Sequence, residues 1–210
     1  SDKFDSLNMN IKKVTNIVLQ FIINRLIEIF GIIVLSLGIL LFIALISYSP
    51  EDPNFIFPKN TEIKNLLGFQ GSYISDLFFQ SIGLISYLVS FSFIFTGINI
   101  FQNNDFFLII ENIFFIIIYT VFGSIFFSHF YKNAFTLYIN GNGGFLGNYL
   151  NESFFYNLIN LHVDIAYYFL ILLIISLFLK SINFNLKSFL IFFKKIINFI
   201  NKDHNKIYTD

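Results

Sequence analysis

The sequence predicts an all-α membrane protein, built as a four-helix transmembrane bundle with amphipathic interfacial helices at both cytoplasmic ends. Of the 210 residues, 56% are hydrophobic and only 12% are charged, and the apolar residues fall into four long stretches. A soluble domain carries about 25% charged residues, because it must cover its core with polar side chains. Composition and the four stretches therefore place the chain in the membrane class.

Four segments are predicted to cross the bilayer. The hydrocarbon core is about 30 Å thick, so a spanning helix needs about 20 predominantly apolar residues. The predicted spans cover residues 26–46, 78–101, 106–127 and 163–179. Three carboxylates, those of Glu28, Glu111 and Asp164, lie close to the ends of spans, where water can reach them. A tight turn at residues 102–105 is predicted to connect the second and third spans.

Both segments that flank the membrane domain (residues 26–180) are predicted to form amphipathic helices. Residues 1–25 carry polar side chains at every fourth position, namely Lys12, Asn16, Gln20 and Asn24. Residues 181–210 have an apolar face that consists of Leu186, Phe189, Leu190, Phe193, Ile196, Ile197 and Ile200. Lysines occupy the opposite face, and a basic amphipathic helix of this kind lies in the plane of the headgroups.

The basic residues predict the orientation of the bundle. Ten of the thirteen Lys and Arg residues lie before the first span or after the fourth, and three lie in residues 47–77 and 128–162. Short basic segments are retained on the cytoplasmic side of a membrane. Both termini are therefore predicted to be cytoplasmic, with two long external segments that are either solvated or folded back onto the bundle.

No side-chain pattern predicts a catalytic, cofactor-binding or metal-binding site. The chain has no Cys, which excludes thiolate chemistry, and its three histidines, His129, His162 and His204, lie in different segments. His129 and His162 flank external segments, but a metal site needs three or four convergent ligands. The glycine cluster at residues 141–147 lacks the Gly-Lys-Ser/Thr ending of a phosphate-binding loop. It predicts a turn with close backbone packing instead.

Small residues in the first two spans predict close contacts between helices. Gly31 and Gly38 share one face of the first span, and the second span carries Gly83, Ser86, Ser90 and Gly97. Small residues at such spacings let helices approach closely in lipid. They serve either packing within the bundle or contacts between subunits.

Three motifs accompany the spans. Residues 47–55 read Ser-Tyr-Ser-Pro-Glu-Asp-Pro-Asn-Phe, and residues 143–147 read Gly-Gly-Phe-Leu-Gly. Between them, residues 65–87 read Asn-Leu-Leu-Gly-Phe-Gln-Gly-Ser-Tyr-Ile-Ser-Asp-Leu-Phe-Phe-Gln-Ser-Ile-Gly-Leu-Ile-Ser-Tyr. Over about residues 25–185 they resemble the membrane domain of the bacterial FtsK/SpoIIIE DNA translocases. The positions that match the family's pattern are Ser47, Ser49, Pro50, Asp52, Pro53, Gly68, Gly71, Asp76, Gly83, Gly143, Gly144 and Gly147.

The sequence departs from that family in two places. It has no basic residue between the second and third spans, and it has Val89 or Ser90 where the family often has Pro. Neither departure changes the predicted topology, because the terminal basic segments suffice for it. Asp76 lies just before the predicted second span, where its carboxylate is expected to cap the helix start or to bond to the first external segment.

The resemblance implies the N-terminal membrane domain of a translocase that works at the division septum of the bacterial inner membrane. There it would anchor a cytoplasmic ATPase that pumps chromosomal DNA. These 210 residues contain no Walker A motif, so they are predicted to be no enzyme and to need no cofactor. The implied partners are the lipid bilayer, other cell-division membrane proteins and further copies of the chain, and no direct nucleic-acid binding is expected.

Two alternatives remain open at this point. One is a small multi-pass transporter or channel, for which Glu28, Glu111 and Asp164 are the candidate ion-path residues. No charged or Gly/Pro-interrupted site lies near the middle of a span, which argues against that function. The other is a divisome scaffold without a motor.

Overall fold

The computed structural model describes residues 2–53, 62–132 and 140–185 together with Lys187 and Lys194, and it describes side chains from Lys13 onward. Seven α-helices and no strand occur in this part of the chain. The helices are α1 Asp2–Ile46, α2 Gly68–Ile82, α3 Ser86–Asn103, α4 Leu108–Phe130, α5 Gly144–Asn151, α6 Phe154–Leu161 and α7 Val163–Ser181. The predicted all-α class is confirmed.

Four of these units are long and apolar enough to cross a membrane. They are Lys13–Ile46 within α1, Gly68–Asn103 across α2 and α3, Leu108–Phe130, and Val163–Ser181. We call the end of the bundle that holds residues 47–53, 62–67, 131–132 and 140–162 the loop end. The opposite end, where α3 turns into α4, is the turn end. The chain is thus a multi-pass membrane protein, and its described residues contain the four predicted spans.

The first span begins much earlier than predicted. α1 runs from Asp2 to Ile46 as one helix of 45 residues, so no break separates residues 1–25 from the span. The side chains from Lys13 to Ile23 are all exposed, and Asn24 is the first that is half-buried. The early part of α1 therefore extends beyond the packed bundle as a continuation of the span. The predicted amphipathic face at residues 186–200 lies outside the described residues.

The second span also differs from its predicted bounds, 78–101. It begins at Gly68 with α2 and bends at a 3₁₀ turn, Gly83–Ile85, before α3 continues. The polar side chains of Ser72, Ser75 and Asp76 lower the hydropathy of α2, but they face the protein interior and are buried. A hydropathy pattern misses a helix of this kind, because its polar face contacts protein instead of water.

The helices α1 and α3 pack closely through glycines. A Cβ atom added to Gly97 would lie 2.4 Å from the Leu35 backbone nitrogen, and one added to Gly31 would lie 2.9 Å from the Gly97 carbonyl oxygen. A Cβ on Gly38 would lie 2.7 Å from the Ile94 nitrogen. These glycines let the two backbones touch, as small residues do between membrane helices. The structure thus places the predicted small residues inside the bundle.

The second helix pair consists of α4 and α7, joined to α3 by buried side chains. Its core contains Ile85, Val89, Ile116, Tyr119, Ile125, Phe126, Ile159, Leu170 and Ile174. Toward the turn end, Ser92 forms hydrogen bonds with Tyr119 at 2.9 Å and with Ser181 at 2.7 Å, and Asn112 donates to Thr96 at 2.9 Å. These bonds link three spans across the apolar core.

The connection at the turn end is short, whereas the described part of the long connection between α4 and α7 contains helices. At the turn end, Asn104 adopts a left-handed conformation with φ 53° and closes the predicted tight turn between α3 and α4. At the loop end, α5 and α6 form most of the described part of the connection between α4 and α7, and α5 packs against α4 and α2. The described part of this connection is therefore folded back onto the bundle.

Candidate functional site

The residues that match the family pattern meet at the loop end, where the first two motifs are bound to each other. The Asp52 carboxylate accepts the backbone N–H groups of Lys64 and Asn65, both at 2.8 Å. Asp52 is only 1% exposed. A buried carboxylate is costly unless donors surround it, so these two peptide groups hold its charge. They also fix the start of the second motif beside the first.

Asn65 completes this contact by closing the end of α1. Its side-chain amide donates to the carbonyl oxygen of Ala44 at 2.9 Å and to that of Ser47 at 3.3 Å. The last carbonyls of a helix lack partners within the helix, and Asn65 supplies one from the far side of the connection. Gly71 makes room for it, because a Cβ there would lie 2.1 Å from the Asn65 Oδ1 atom. The Ser47 hydroxyl in turn accepts the N–H group of Leu66 at 3.2 Å.

Other described residues of the first two motifs form a turn or contact α2. The carbonyl of Ser49 accepts the N–H group of Asp52 at 3.2 Å, which closes a turn around the exposed Pro50. Pro53 is buried, and its carbonyl accepts the Ser72 hydroxyl at 2.9 Å. Gly68 has φ +66°, and a Cβ added there would meet no other atom within 4 Å. Glycine at this position therefore favours the left-handed backbone conformation and is not required for a close contact.

Asp76 lies within α2 and does not cap the start of a helix. Of its two expected roles, capping is wrong because α2 begins eight residues earlier at Gly68, and the bond to the first connection is present. The Tyr48 hydroxyl donates to Asp76 Oδ1 at 3.1 Å, and the Tyr48 ring packs against Phe79 with centroids 4.9 Å apart. Burial, followed by the negative charge of Asp76, raises the pKa of Tyr48 well above its usual range.

The third motif packs against the bend of the second span. The Asn142 carbonyl accepts the N–H group of Leu84 at 2.9 Å, and a Cβ on Gly83 would lie 2.0 Å from that same oxygen. Gly143 and Gly147 lie against α4, where added Cβ atoms would come within 2.5 and 2.2 Å of the Ser124 carbonyl oxygen. The predicted close backbone packing of this glycine cluster is thus present.

Polar side chains connect this contact, between the third motif and the bend, to the contact between the first two motifs. The Ser124 hydroxyl donates to the Ile82 carbonyl at 2.9 Å, at the point where α2 ends. Asn140 donates its backbone N–H to Gln80 Oε1 and its side-chain amide to the Gln80 carbonyl, both at 3.1 Å. Gln80 also donates to Asp76 at 3.5 Å. All three motifs therefore belong to one connected arrangement, which we call the loop-end junction.

An exposed ion pair lies at the rim of the junction. The Lys64 ammonium donates a hydrogen bond to the Glu51 carboxylate. This bond lowers the pKa of Glu51 and raises that of Lys64. Both groups face solvent, where such pairs contribute little to stability.

The junction shows the features of a structural cap. Asp52 and Asp76, its buried carboxylates, already accept hydrogen bonds from the protein. His129 bonds to Asn151 at 2.8 Å, and His162 lies at the start of α7. Within the described residues, no group of three or more His, Asp or Glu side chains is placed to hold a metal ion. The arrangement binds chain segments to one another.

An apolar groove follows α1 and has no chemistry of its own. It encloses about 610 Å³ and is lined by Phe30, Ile33, Val34, Leu37, Leu40, Leu41, Ala44, Leu67, Gln70, Gly71, Ile74, Phe78, Phe93 and Ile109. Gln70 supplies its one polar side chain. A surface of this composition at the depth of the spans suits contact with hydrocarbon.

Sequence reasoning missed the polar residues that complete the junction. The expected site residues do not include Asn65, Tyr48 and Ser72, although these lie inside the matched motifs. They also do not include two serines of the third span, Ser124 and Ser128. The Ser128 hydroxyl donates to Asn148 at 2.7 Å. Two serines four residues apart in an apolar helix mark one helix face and predict a polar contact there.

Comparisons with known proteins match the part of the chain that contains the loop-end junction. A family model described as the 4TM region of DNA translocase FtsK/SpoIIIE matches residues 24–191. The chain is also 30% identical over 82 residues to the DNA translocase FtsK of Rickettsia prowazekii (strain Madrid E). That match covers 38% of this chain and 11% of the relative, so the chain corresponds to a small part of the relative's length. No solved structure matches the chain.

Proposed function

Since the chain belongs to the family of the 4TM region of DNA translocase FtsK/SpoIIIE, we propose that it anchors and targets such a translocase at the division septum. The observation that carries the proposal is the family match over residues 24–191. It covers the first span from residue 24 onward, the other three spans and the loop-end junction. The motor activity, pumping DNA with ATP, is assigned in this proposal to a separate cytoplasmic part of the translocase.

The distribution of polar groups supports an anchoring role over transport. Several polar side chains inside the bundle bond to each other, as Ser92 does with Tyr119 and Ser181, and thereby hold helices together. A transporter instead presents charged or broken-helix groups to a cavity near the middle of the membrane. The large groove along α1 is lined by apolar side chains apart from Gln70. The bundle is thus suited to hold a fixed position in lipid.

The orientation completes the proposal. The basic residues concentrate before the first span and after the fourth, which favours cytoplasmic termini in the bacterial inner membrane. The loop-end junction then faces the outside, where it offers a rigid surface to other division proteins and to further copies of the chain. The lysines after the fourth span contact anionic lipid, which contributes about 1 kcal/mol per basic residue near the surface. The segment itself is proposed to bind no DNA.

The test follows the protein in dividing cells. A fluorescent fusion of residues 1–210 should gather at the division site without a motor attached, whereas a fusion of residues 1–46, which retains only the first span, should stain the whole membrane. Uniform fluorescence of an intact 1–210 fusion would contradict septal targeting. In vitro, the purified chain should show no salt-dependent affinity for duplex DNA beyond the non-specific level of about 10⁻⁴ to 10⁻⁶ M.

A further inference from the structure

A small cleft at the turn end has a different character from the large groove. It lies between the first turn of α4 and the last turn of α7, encloses about 390 Å³, and is lined by Glu111, Phe115, Leu179, Lys180, Asn183 and Phe184. α4 begins and α7 ends beside this cleft. The cleft therefore lies at the level where the hydrocarbon core gives way to headgroups. It combines two opposite charges with an apolar floor.

The two charged residues line the cleft without neutralising each other. Glu111 and Lys180 are both exposed, and neither takes part in the ion pairs of the described residues, which join Arg25 to Glu28 and Lys64 to Glu51. A cation and an anion that share a cleft but do not pair leave room for a ligand between them. Such a ligand would gain two charge-assisted contacts at once.

Local structure holds Lys180 beside the cleft. Its ammonium lies 5.7 Å from the centroid of the Phe115 ring, within reach of a cation–π contact. The chain then turns sharply, because Asn183 takes a left-handed conformation with φ 51° and the Phe184 N–H group bonds to the Leu179 carbonyl at 2.9 Å. This turn brings Phe184 to the wall of the cleft.

From this geometry we propose that the cleft binds the headgroup of a zwitterionic aminophospholipid. The Lys180 ammonium receives the phosphate, the Glu111 carboxylate receives the primary amine, and the rings of Phe115 and Phe184 contact the glycerol and the first acyl carbons. The charges of Lys180 and Glu111 cancel, as do those of the headgroup. An anionic headgroup that lacks an amine would satisfy Lys180 but leave Glu111 beside a phosphate, so it fits less well.

The proposal is tested with the full chain in detergent by native mass spectrometry. Phosphatidylethanolamine and phosphatidylglycerol with the same acyl chains are titrated separately. Because the lysines after the fourth span also attract phosphatidylglycerol, binding at the cleft is measured by the change on substitution. Glu111→Gln should weaken phosphatidylethanolamine binding about fivefold, the effect of one interfacial charge contact, without weakening phosphatidylglycerol. Lys180→Gln should weaken both lipids. Phosphatidylcholine, whose nitrogen has no N–H group, should bind less tightly than phosphatidylethanolamine.

Asp164→Asn provides the matched control. Asp164 is also an exposed carboxylate in the first turn of a spanning helix, but it lies at the opposite end of the bundle. This variant should keep the wild-type affinity for both lipids. Thermal unfolding should verify that all variants remain folded.

Several results would overturn the proposal. They are an equal loss of both lipids in Glu111→Gln, an equal loss of phosphatidylethanolamine in Asp164→Asn, or an unchanged affinity for phosphatidylethanolamine in folded Glu111→Gln. A dimer signal that disappears in Glu111→Gln would assign the cleft to a second copy of the chain instead.

Discussion

The Asp52 carboxylate accepts the backbone N–H group of Asn65 at 2.8 Å, and both residues are buried. Asp52 stands in the first family motif and Asn65 opens the second, so this bond joins the two. It anchors the first connection of the protein to the end of α1. The stability of the loop-end junction is therefore expected to depend on the carboxylate at this position.

Asp52→Asn should destabilise the protein by about 1–3 kcal/mol, because an amide offers one acceptor and turns its N–H₂ group toward a peptide donor. Unfolding in detergent, followed by circular dichroism, measures the change. Glu51→Gln is the neighbouring control. Glu51 faces solvent beside Lys64, and its loss should leave the unfolding midpoint unchanged. Equal effects of the two substitutions would refute the structural role of Asp52.

The bond between Tyr48 and Asp76 predicts a dependence on alkaline pH. The folded protein raises the pKa of Tyr48, so the neutral phenol contributes stability that is complete below the unfolded pKa of about 10 and is lost as pH rises above it. Between pH 10 and 11.5 the unfolding midpoint of the wild type should fall more steeply than that of Tyr48→Phe. The other tyrosines titrate in both proteins and cancel in the comparison. Parallel curves would exclude this contribution.

Two glycines should respond differently to a side chain. Gly97→Ala places a Cβ 2.4 Å from the Leu35 backbone nitrogen, forces α1 and α3 apart, and should cost about 1–3 kcal/mol. Gly68 has open space, so Gly68→Asn adds only a residue that tolerates the left-handed region and should cost less than about 1 kcal/mol. Both changes are measured by unfolding in detergent. A larger cost at Gly68 would contradict the close approach of the two helices.

The proposed orientation is tested with a reporter that is active only outside the cytoplasm. Fusions after Asn60, Gln102, Asn142 and Asp210 should give activity, none, activity and none. The reason is the concentration of Lys and Arg residues next to the termini. Activity of the fusion at Asp210 would be incompatible with four spans and a cytoplasmic N-terminus.

Hydropathy was sufficient to predict most of the bundle and failed for one helix. The third and fourth spans were expected at 106–127 and 163–179, and they occur as Leu108–Phe130 and Val163–Ser181. The method failed where polar residues face protein, because α2 carries Ser72, Ser75 and Asp76 on its buried side. Hydropathy describes transfer from water to lipid and contains no information on contacts inside the protein.

The composition of the loop-end junction was predictable in part, but its contacts were not. The motifs identified Asp52, Gly71 and Gly83, yet their partners lie elsewhere in the sequence. Asp52 is 13 positions from Asn65 in the chain, and the carbonyl of Asn142 contacts the bend at Gly83 from a different connection. Such contacts depend on how the connections fold over the bundle, which local patterns do not specify.

The unbroken course of α1 has a mechanical consequence. Its 45 residues measure about 68 Å at about 1.5 Å per residue, more than twice the roughly 30 Å hydrocarbon core. A change in the tilt of α1 would pivot at its glycine contact with α3. Asp2 lies about 44 Å along the helix axis from Gly31. A change of about 10° in tilt at that pivot, well inside the range found for membrane helices, moves the tip by about 8 Å. A small change in tilt within the bilayer would therefore produce a larger displacement at the N-terminal end of α1.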